Sequence, residues 1–379
     1  MPSADVAVAV IGGGVVGVAV AHALARRGVG VVVLEAEDEL ALGASGTNSG
    51  ILHAAFDSPP GELETELILR SAALRDAVLE PAGVPVLRCG AILTPRSEEE
   101  ARTVASLAGI ARSNGVEVRL RDDGALEVPG EAVTDPVSYA LALAGAAAAG
   151  GAEFRTRARV GAIRRLPTRL VLDLAGGDAL ASQVVVNCAG LHADDVARLA
   201  GDDSFAIYPR KGEFLVFDPP GGRPLERILL PVPTKRTKGV LVFPTIDGKV
   251  VAGPTAHDQV DKADWSVRKQ ARAEILSKAV AMLPALEEAE PIATYAGLRP
   301  AGRDTNYLIR ASASCPGLIH VAAIRSTGLS ASLGIGEYVA GLVAAHGIAL
   351  GPDRPLPYPD PPSLDHPWWR RTARYRAVA

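Results

Sequence analysis

"VIGGGVVGVAVAHALARRGVGVVVLEAE" runs from Val10 to Glu37, and its reading decides the fold. The β-branched run Val6 to Ile11 that leads into it is of the kind buried on both faces of a parallel sheet. Gly12, Gly14 and Gly17 then supply G-x-G-x-x-G. The first glycine permits a tight turn, the second lets backbone approach a pyrophosphate, and the third lets the next helix pack closely on the strand. That helix is expected from Val15 to Arg27, with Val16 in its first turn, Arg26 and Arg27 complementing the dipole at its end, and Gly28 stopping it. A second strand, Gly30 to Leu34, delivers Glu35 eighteen positions after Gly17. An acid about 20 residues on is suited to a ribose 2′-hydroxyl. Strand, turn, helix, strand and acid together predict a Rossmann-like site for an adenine dinucleotide, and this stretch alone leaves NAD and FAD both open.

Outward from there, "LALGASGTNSGILHAAFDSPPG", Leu40 to Gly61, is small, polar and glycine-rich where a plain NAD domain would continue to its next helix. Such a segment can lie flat along a long cofactor. Helices are expected over Glu62 to Leu79, Glu98 to Asn114, and Pro136 to Ala149 with Asp135 as N-cap. "GVPVLRCGAILTP" has strand character, as does Val160 to Leu174, and "SQVVVNCAGLHADDVARLAG" reads as strand, turn and helix. Short apolar runs between Ile207 and Thr255 predict an antiparallel sheet, with Asp247-Gly248 as a type I′ hairpin turn. A helix from Ser266 to Met282, the strand-like "IATYAGLRPAGRD", and a final strand, glycine turn and apolar helix follow. The proline-rich tail "GPDRPLPYPDPPSLDHPWWRR" is expected to wrap the surface without a helix of its own, anchored by Trp368 and Trp369.

Composition bounds the function. At 379 residues and 48% hydrophobic, the chain can bury a large core and hold more than one domain. A formal charge of -4 and the lack of a dense Lys/Arg run argue against nucleic acid and leave membrane contact peripheral at most. No uninterrupted apolar stretch reaches the roughly 18 residues that span a bilayer. Cys89, Cys188 and Cys315 are widely spaced, so neither a disulfide framework nor a metal site is expected, and a reducing, cytoplasmic setting fits. The first residues lack a basic region and a cleavage site and read as a buried strand.

Four motifs agree in order and spacing: the Gly12/Gly14/Gly17/Glu35 turn, "ASGTNSGILH" at Ala44 to His53, "NCAG" at Asn187 to Gly190, and "GLRPAGRD" with "IRSTGLSAS". On these the chain resembles the D-amino-acid oxidase superfamily of FAD-dependent oxidoreductases over Val6 to about His346. Within it, "ASGTNSGILHAAFDSPPGELE" and "PRKGEFLVFD" are most similar to the glycerol-3-phosphate dehydrogenase and L-2-hydroxyglutarate dehydrogenase branch. The resemblance implies non-covalent FAD. Gly12 to Gly17, Val15 and Val16 included, would hold its pyrophosphate and Glu35 its adenosine ribose. Ala44, Ser45, Thr47, Asn48, Ser49 and Gly50 would lie along the flavin half, Ala189 and Gly190 near the adenosine side. Ser326, Thr327, Gly328 and Leu329 would lie at the head of the last helix, where the dipole favours an anionic reduced flavin. Arg299 would also face the ring.

Four side chains are candidates for the chemistry. His53 is placed to take a hydroxyl proton while hydride leaves carbon, unless it is a hydrogen-bonded structural histidine. Arg299 matches the arginine that clamps a substrate carboxylate in amino-acid-oxidising relatives, a bidentate task for a guanidinium; a domain salt bridge is the alternative. Lys211 either faces the substrate anion or sits solvated at the surface. Arg325 stands where relatives place a histidine, glutamine or neutral residue; it contacts the cofactor, adds charge to the substrate pocket, or pairs with an acid.

The expected architecture is α/β. A Rossmann-like FAD-binding domain (1–85, 136–204, 298–350) is interleaved with a mixed, largely antiparallel-sheet substrate domain (86–135, 205–297), and 351–379 form the tail. The expected reaction is oxidation of CH–OH in a small anionic 2-hydroxy acid or polyol phosphate, with electrons leaving to oxygen, a quinone or a redox protein. Amine oxidation of the glycine or sarcosine oxidase kind, and a flavin-bound subunit without turnover, are the alternatives.

Overall fold

The computed structural model describes residues 4–234, 239–360, 364 and 366–371. Its helices of more than one turn are α1 (Val15–Arg26), α2 (Leu63–Leu79), α3 (Glu98–Ser113), α4 (Pro136–Ala149), α5 (Ala193–Leu199), α6 (Ala271–Ala279) and α7 (Gly328–Ala345). Alternating apolar and glycine-bounded runs sort the strands into two large sheets and a small one, so the chain is α/β with a parallel-type and a mixed sheet interleaved along the sequence.

The first sheet is centred on Ala4–Ile11, which pairs in parallel with Val31–Leu34 on one side and Ala179–Asn187 on the other. Glu153–Arg155 extends it beyond Val31–Leu34, and Leu318–Ala322 pairs in parallel with the end of Ala179–Asn187. The hairpin Val160–Arg165/Leu170–Leu174 adds antiparallel strands at the edge. Because its central strands are valine-rich and buried on both faces, helices must cover them. Helix α1 packs on α4 and α7, and α7 on α2. Gly17 makes the strand-to-helix approach possible: a Cβ there would collide with the Gly12 carbonyl, while Gly12 itself has φ +108°, accessible to glycine at no cost.

The second sheet carries Ile207–Phe217, in which Ile207 to Val216 pair antiparallel with Ala293–Gly302, Arg210 opposite Arg299. It continues through Val250–Gly253, Leu241–Pro244 and Ile228–Leu230 to Ala91–Leu93, Leu126–Val128 and Arg119–Leu120; only Ile228–Leu230 with Ala91–Leu93 is parallel. A three-stranded sheet joins Ile51–Leu52 and Val86–Leu87 to Ala132–Thr134.

Four local expectations are corrected. The helix expected from Ser266 to Met282 is confined to Ala271–Ala279, because side chains take the backbone groups that would have begun it. Asp264 accepts from the Ser266 amide (3.0 Å), Lys211 donates to the Ser266 carbonyl (3.0 Å), and Glu213 accepts from the Arg268 amide (2.6 Å). At the other end, Pro284 opens a separate turn. The Asp247-Gly248 hairpin is not type I′, which needs positive φ at both central residues. Only Gly248 is left-handed (φ +76°), and the Gly248 amide donates to the Thr245 carbonyl at 3.0 Å, giving a type I turn closed by a glycine bulge.

The tail does form a helical turn, at 368–371, begun by donation from the Arg370 amide to the Pro367 carbonyl. It reaches that point by running past α1 and α4: Asp353 pairs with Arg26, and Tyr358 meets His22 at 3.3 Å. Trp368 and Trp369 are buried in the core of the second sheet, as anchors should be. Finally, α7 is long and apolar enough by composition to cross a membrane, contrary to the reading of the sequence; here it is mostly buried, between α1 and α2.

Candidate functional site

A cavity of about 1240 Å³ opens at the carboxyl ends of the parallel strands and runs beneath the second sheet. Ligands of open α/β sheets bind at this position. The volume exceeds the roughly 300–1,000 Å³ of ordinary small-molecule pockets, so it has room for a dinucleotide and a substrate together.

Gly12, Gly14, Val15, Val16 and Glu35 border one part of it. Glu35 accepts from the Gly13 amide (2.7 Å) and the Glu37 amide (2.9 Å), which fixes the carboxylate beside the glycine turn where a ribose would meet it. Ala44, Ser45, Thr47, Asn48 and Ser49 line the cavity further on. The Ser45 hydroxyl accepts from the Val15 amide at 2.9 Å, pinning this glycine-rich segment to the start of α1. Ala189 and Gly190 border it from the "NCAG" turn, and Ser326, Gly328 and Leu329 from the head of α7.

Gly17, Gly50 and Thr327 are not at the cavity wall. Gly17 lies under the turn, as its packing role requires. Gly50, at φ +77°, is pressed against the Thr134 carbonyl where the small sheet forms. Thr327 is turned inward, donating to Glu64 at 2.5 Å and meeting the Tyr307 hydroxyl at 2.9 Å.

His53 borders the cavity, and its surroundings are made by strand pairing. Leu52 lies opposite Ala132 in the small antiparallel sheet, so the next residues out, His53 and Glu131, come side by side. The His53 Nδ1 is 2.9 Å from Glu131 Oε2, while the other carboxylate oxygen accepts from the Ala54 amide at 2.7 Å. Glu131 is 0% exposed. A carboxylate accepting from Nδ1–H fixes the tautomer and leaves the basic lone pair on Nε2. The Ser330 hydroxyl on α7 accepts from the His53 amide (2.8 Å), and Arg75 donates to the His53 carbonyl (3.1 Å). Sequence reasoning missed Glu131; the available signal was one acid between a Pro-Gly turn and the short apolar strand Ala132–Thr134.

Arg299 also borders the cavity, and among the described residues its guanidinium is held by backbone carbonyls. It donates to the carbonyls of Arg210 (3.1 Å), Lys211 (3.3 Å) and Thr255 (2.7 Å). Burial, and then the neighbouring Arg210, bring its pKa down to about 10, against the opposing pull of Asp258; it stays charged at neutral pH. Among the described residues it has no carboxylate partner within 4.0 Å, so the domain salt bridge is absent there.

Lys211 does not face the cavity. Successive side chains on a strand point to opposite faces, and while Arg210 borders the cavity, the Lys211 ammonium is buried on Asp264 (2.7 Å) and the Ser266 carbonyl. The hydrogen bond from Lys211 is the main reason that the Asp264 carboxyl drops to about 2. Arg325 does border the cavity, donating from Nε to Asn306 Oδ1 at 3.3 Å.

A latch crosses the cleft near the "NCAG" side. Lys262, between the strand His257–Asp258 and α6, donates to Asp194 (2.7 Å) and Asp195 (2.9 Å) on α5. Burial alone would raise the Asp195 carboxyl, but hydrogen bonds from Lys262, His192 and Arg198 outweigh it and bring the pKa to about 2. The folded pKa lies below the unfolded value of about 3.9, so this contribution is present above pH ~4 and fades as pH falls towards ~2. Lys262→Met is expected to release bound dinucleotide about five-fold faster, as loss of ~1 kcal/mol would. Dilution of the loaded protein, followed by fluorescence of the freed flavin, measures it; an unchanged rate would mean that the latch does not restrain the cofactor.

The cradle fits FAD: a Cβ at Gly12 would strike the Cys188 carbonyl, and one at Gly14 would come within 3.2 Å of Ser45 Oγ, so only bare backbone leaves the phosphate approach clear. Among the described residues no cluster of His, Cys, Asp or Glu is placed to hold a metal.

The chain is similar to known FAD-dependent proteins in sequence and fold. The family model "FAD dependent oxidoreductase" (DAO) matches residues 7–342. A glycerol 3-phosphate dehydrogenase of Caloramator mitchellensis is 28% identical over 348 residues, covering 88% of this chain and 72% of the relative. The mitochondrial L-2-hydroxyglutarate dehydrogenase of Homo sapiens is 28% identical over 279 residues, covering 66% of this chain and 60% of the relative. Among solved structures, the dithionite-reduced L-alpha-glycerophosphate oxidase of Mycoplasma pneumoniae with FAD bound superposes with a TM-score of 0.87 at 24% identity, over 95% of this chain and 100% of that one. With the family model spanning most of its length, the chain belongs to the FAD-dependent oxidoreductases of the DAO family.

Proposed function

We propose that the protein oxidises the CH–OH of a small anionic hydroxy compound, a polyol phosphate of the glycerol-3-phosphate type or a 2-hydroxy acid of the 2-hydroxyglutarate type, to the ketone. The observation that carries this is His53, backed by the buried Glu131, in the same cavity as Arg299. FAD, when bound, supplies the hydride-accepting chemistry. His53 receives the hydroxyl proton at Nε2. Glu131 keeps the imidazole in the tautomer that can take it and stabilises the imidazolium that results. Arg299, preset by carbonyls that leave its charge unmatched, holds the anionic end of the substrate so that the carbinol carbon is presented in one orientation.

Amine oxidation is the competing reading. A neutral amine loses hydride without a strong base, so a buried carboxylate behind an imidazole favours the alcohol. The test is anaerobic mixing of the yellow protein with glycerol 3-phosphate, L-2-hydroxyglutarate, glycine and sarcosine, following bleaching near about 450 nm. Reduction by a hydroxy compound is expected. Reduction by the amines alone would replace this reading with the other, and reduction by dithionite alone would leave a binding subunit. Reoxidation by air or by a quinone then identifies the acceptor. A cytoplasmic location belongs to the same proposal and rests on the free thiols Cys89, Cys188 and Cys315.

A further inference from the structure

Cations at the cavity wall divide into those already neutralised and those that are not. Arg210 is matched by Asp258 through two hydrogen bonds (2.6 and 3.0 Å), Lys262 by Asp194 and Asp195, and Arg159 lies 4.0 Å from Glu37. Arg299 and Arg325 differ: among the described residues, neither has a carboxylate within 4.0 Å. A half-buried guanidinium left without a counter-charge is costly, and a ligand that brings the missing charge recovers that cost.

The carboxylate on the same network, Glu64, is engaged elsewhere. Glu64 accepts from the Asn306 side-chain amide and from the Thr327 hydroxyl, which in turn meets the Tyr307 hydroxyl. Since the Asn306 nitrogen is committed to Glu64, its oxygen is the atom offered to Arg325 Nε, a neutral acceptor at 3.3 Å. The backbone here is held under strain. Tyr307 (φ +52°) and Ala323 (φ +56°) are both left-handed non-glycine residues, and the Tyr307 amide donates to the Ala323 carbonyl at 3.2 Å. Two uncommon conformations thus fasten the loop that carries Asn306 to the turn that carries Arg325. The arrangement steers Arg325 while withholding the acid that would quench it.

We propose that Arg325 is a specificity-determining residue that takes the second negative charge of the substrate, so that the cavity selects dianions over monoanions. The reaction assigned to those dianions rests on the preceding section; the charge selectivity is testable without it. The probes are non-oxidisable pairs, glutarate against butyrate and succinate against propionate, titrated into the FAD-loaded protein and read by perturbation of the flavin absorption band. The wild-type protein is expected to bind each dianion more tightly than its monoanionic partner. Arg325→Gln should weaken the dianions by about 10–100-fold and the monoanions by no more than about two-fold, with Arg325→Lys between. Flavin content and melting temperature, measured on both variants, should match the wild type.

Equal weakening of both members of a pair, or no preference in the wild-type protein, would overturn the proposal. So would loss of FAD from Arg325→Gln with the preference intact, which would make Arg325 a cofactor contact. If the wild-type protein selects dianions but no hydroxy compound reduces it, the proposed reaction fails and the role of Arg325 stands.

Discussion

His53→Asn lowers the rate constant for flavin reduction by substrate about 10²–10⁴-fold, the range that a positioned general base supplies. FAD remains bound, because the contacts of residue 53 with Ser330 and Arg75 are made by its backbone amide and carbonyl and survive the change. Stopped-flow reduction under anaerobic conditions reads the chemical step directly. Its pH dependence should flatten in the variant, since the group that must be unprotonated to act has been removed. Glu131→Gln should lose a smaller part of the same rate. An amide offers Nδ1 a neutral acceptor, so the proton at Nδ1 is held less firmly and the imidazolium is no longer stabilised by charge. A reduction rate that survives His53→Asn would reassign the pair to the scaffold.

Arg299→Leu raises KM for the anionic substrate by about 30–1,000-fold, the effect of removing ~2–4 kcal/mol of charge-assisted hydrogen bonding from a buried site. The substitution does not strand a partner charge, because the guanidinium rests on the carbonyls of Arg210, Lys211 and Thr255. Arg299→Lys keeps the charge and loses the planar fork, so it should recover only part of the affinity. Steady-state kinetics with flavin content measured in parallel decides the matter. A KM that does not move would remove Arg299 from substrate recognition.

Local chemistry makes much of this legible in the sequence alone. The glycines at 12, 14 and 17 and the acid at 35 dictate a turn whose geometry hardly depends on the rest of the chain, and the Asp135-Pro136 start of α4 is equally self-contained. What escaped was set by distant partners. Helix α6 is shortened by Glu213 and Lys211, more than 50 positions upstream, capturing groups that propensity alone would give to the helix. Lys211 read either as a cation beside a substrate or as a solvated surface lysine, and not as a buried ion pair, because a strand's facing cannot be known until its neighbours are placed. Glu131 lies 78 positions from His53, and only the pairing of Leu52 with Ala132 brings them together. The contrast between Arg210, neutralised by Asp258, and Arg325, without a carboxylate partner among the described residues, is likewise a property of what surrounds each residue.

The aromatic end of the described chain has a bearing on the substrate cavity. Trp368 meets Tyr295 edge to face at 5.4 Å, and Tyr295 lies flat against Phe214 at 4.6 Å. Phe214 is itself part of the cavity wall. A segment that starts from the far side of α1 thus buttresses the wall from behind, like a wedge driven under a floorboard. Pulling it out would slacken the chamber without touching any group that handles a proton or a charge, and turnover would become sensitive to a stretch of protein remote from the chemistry.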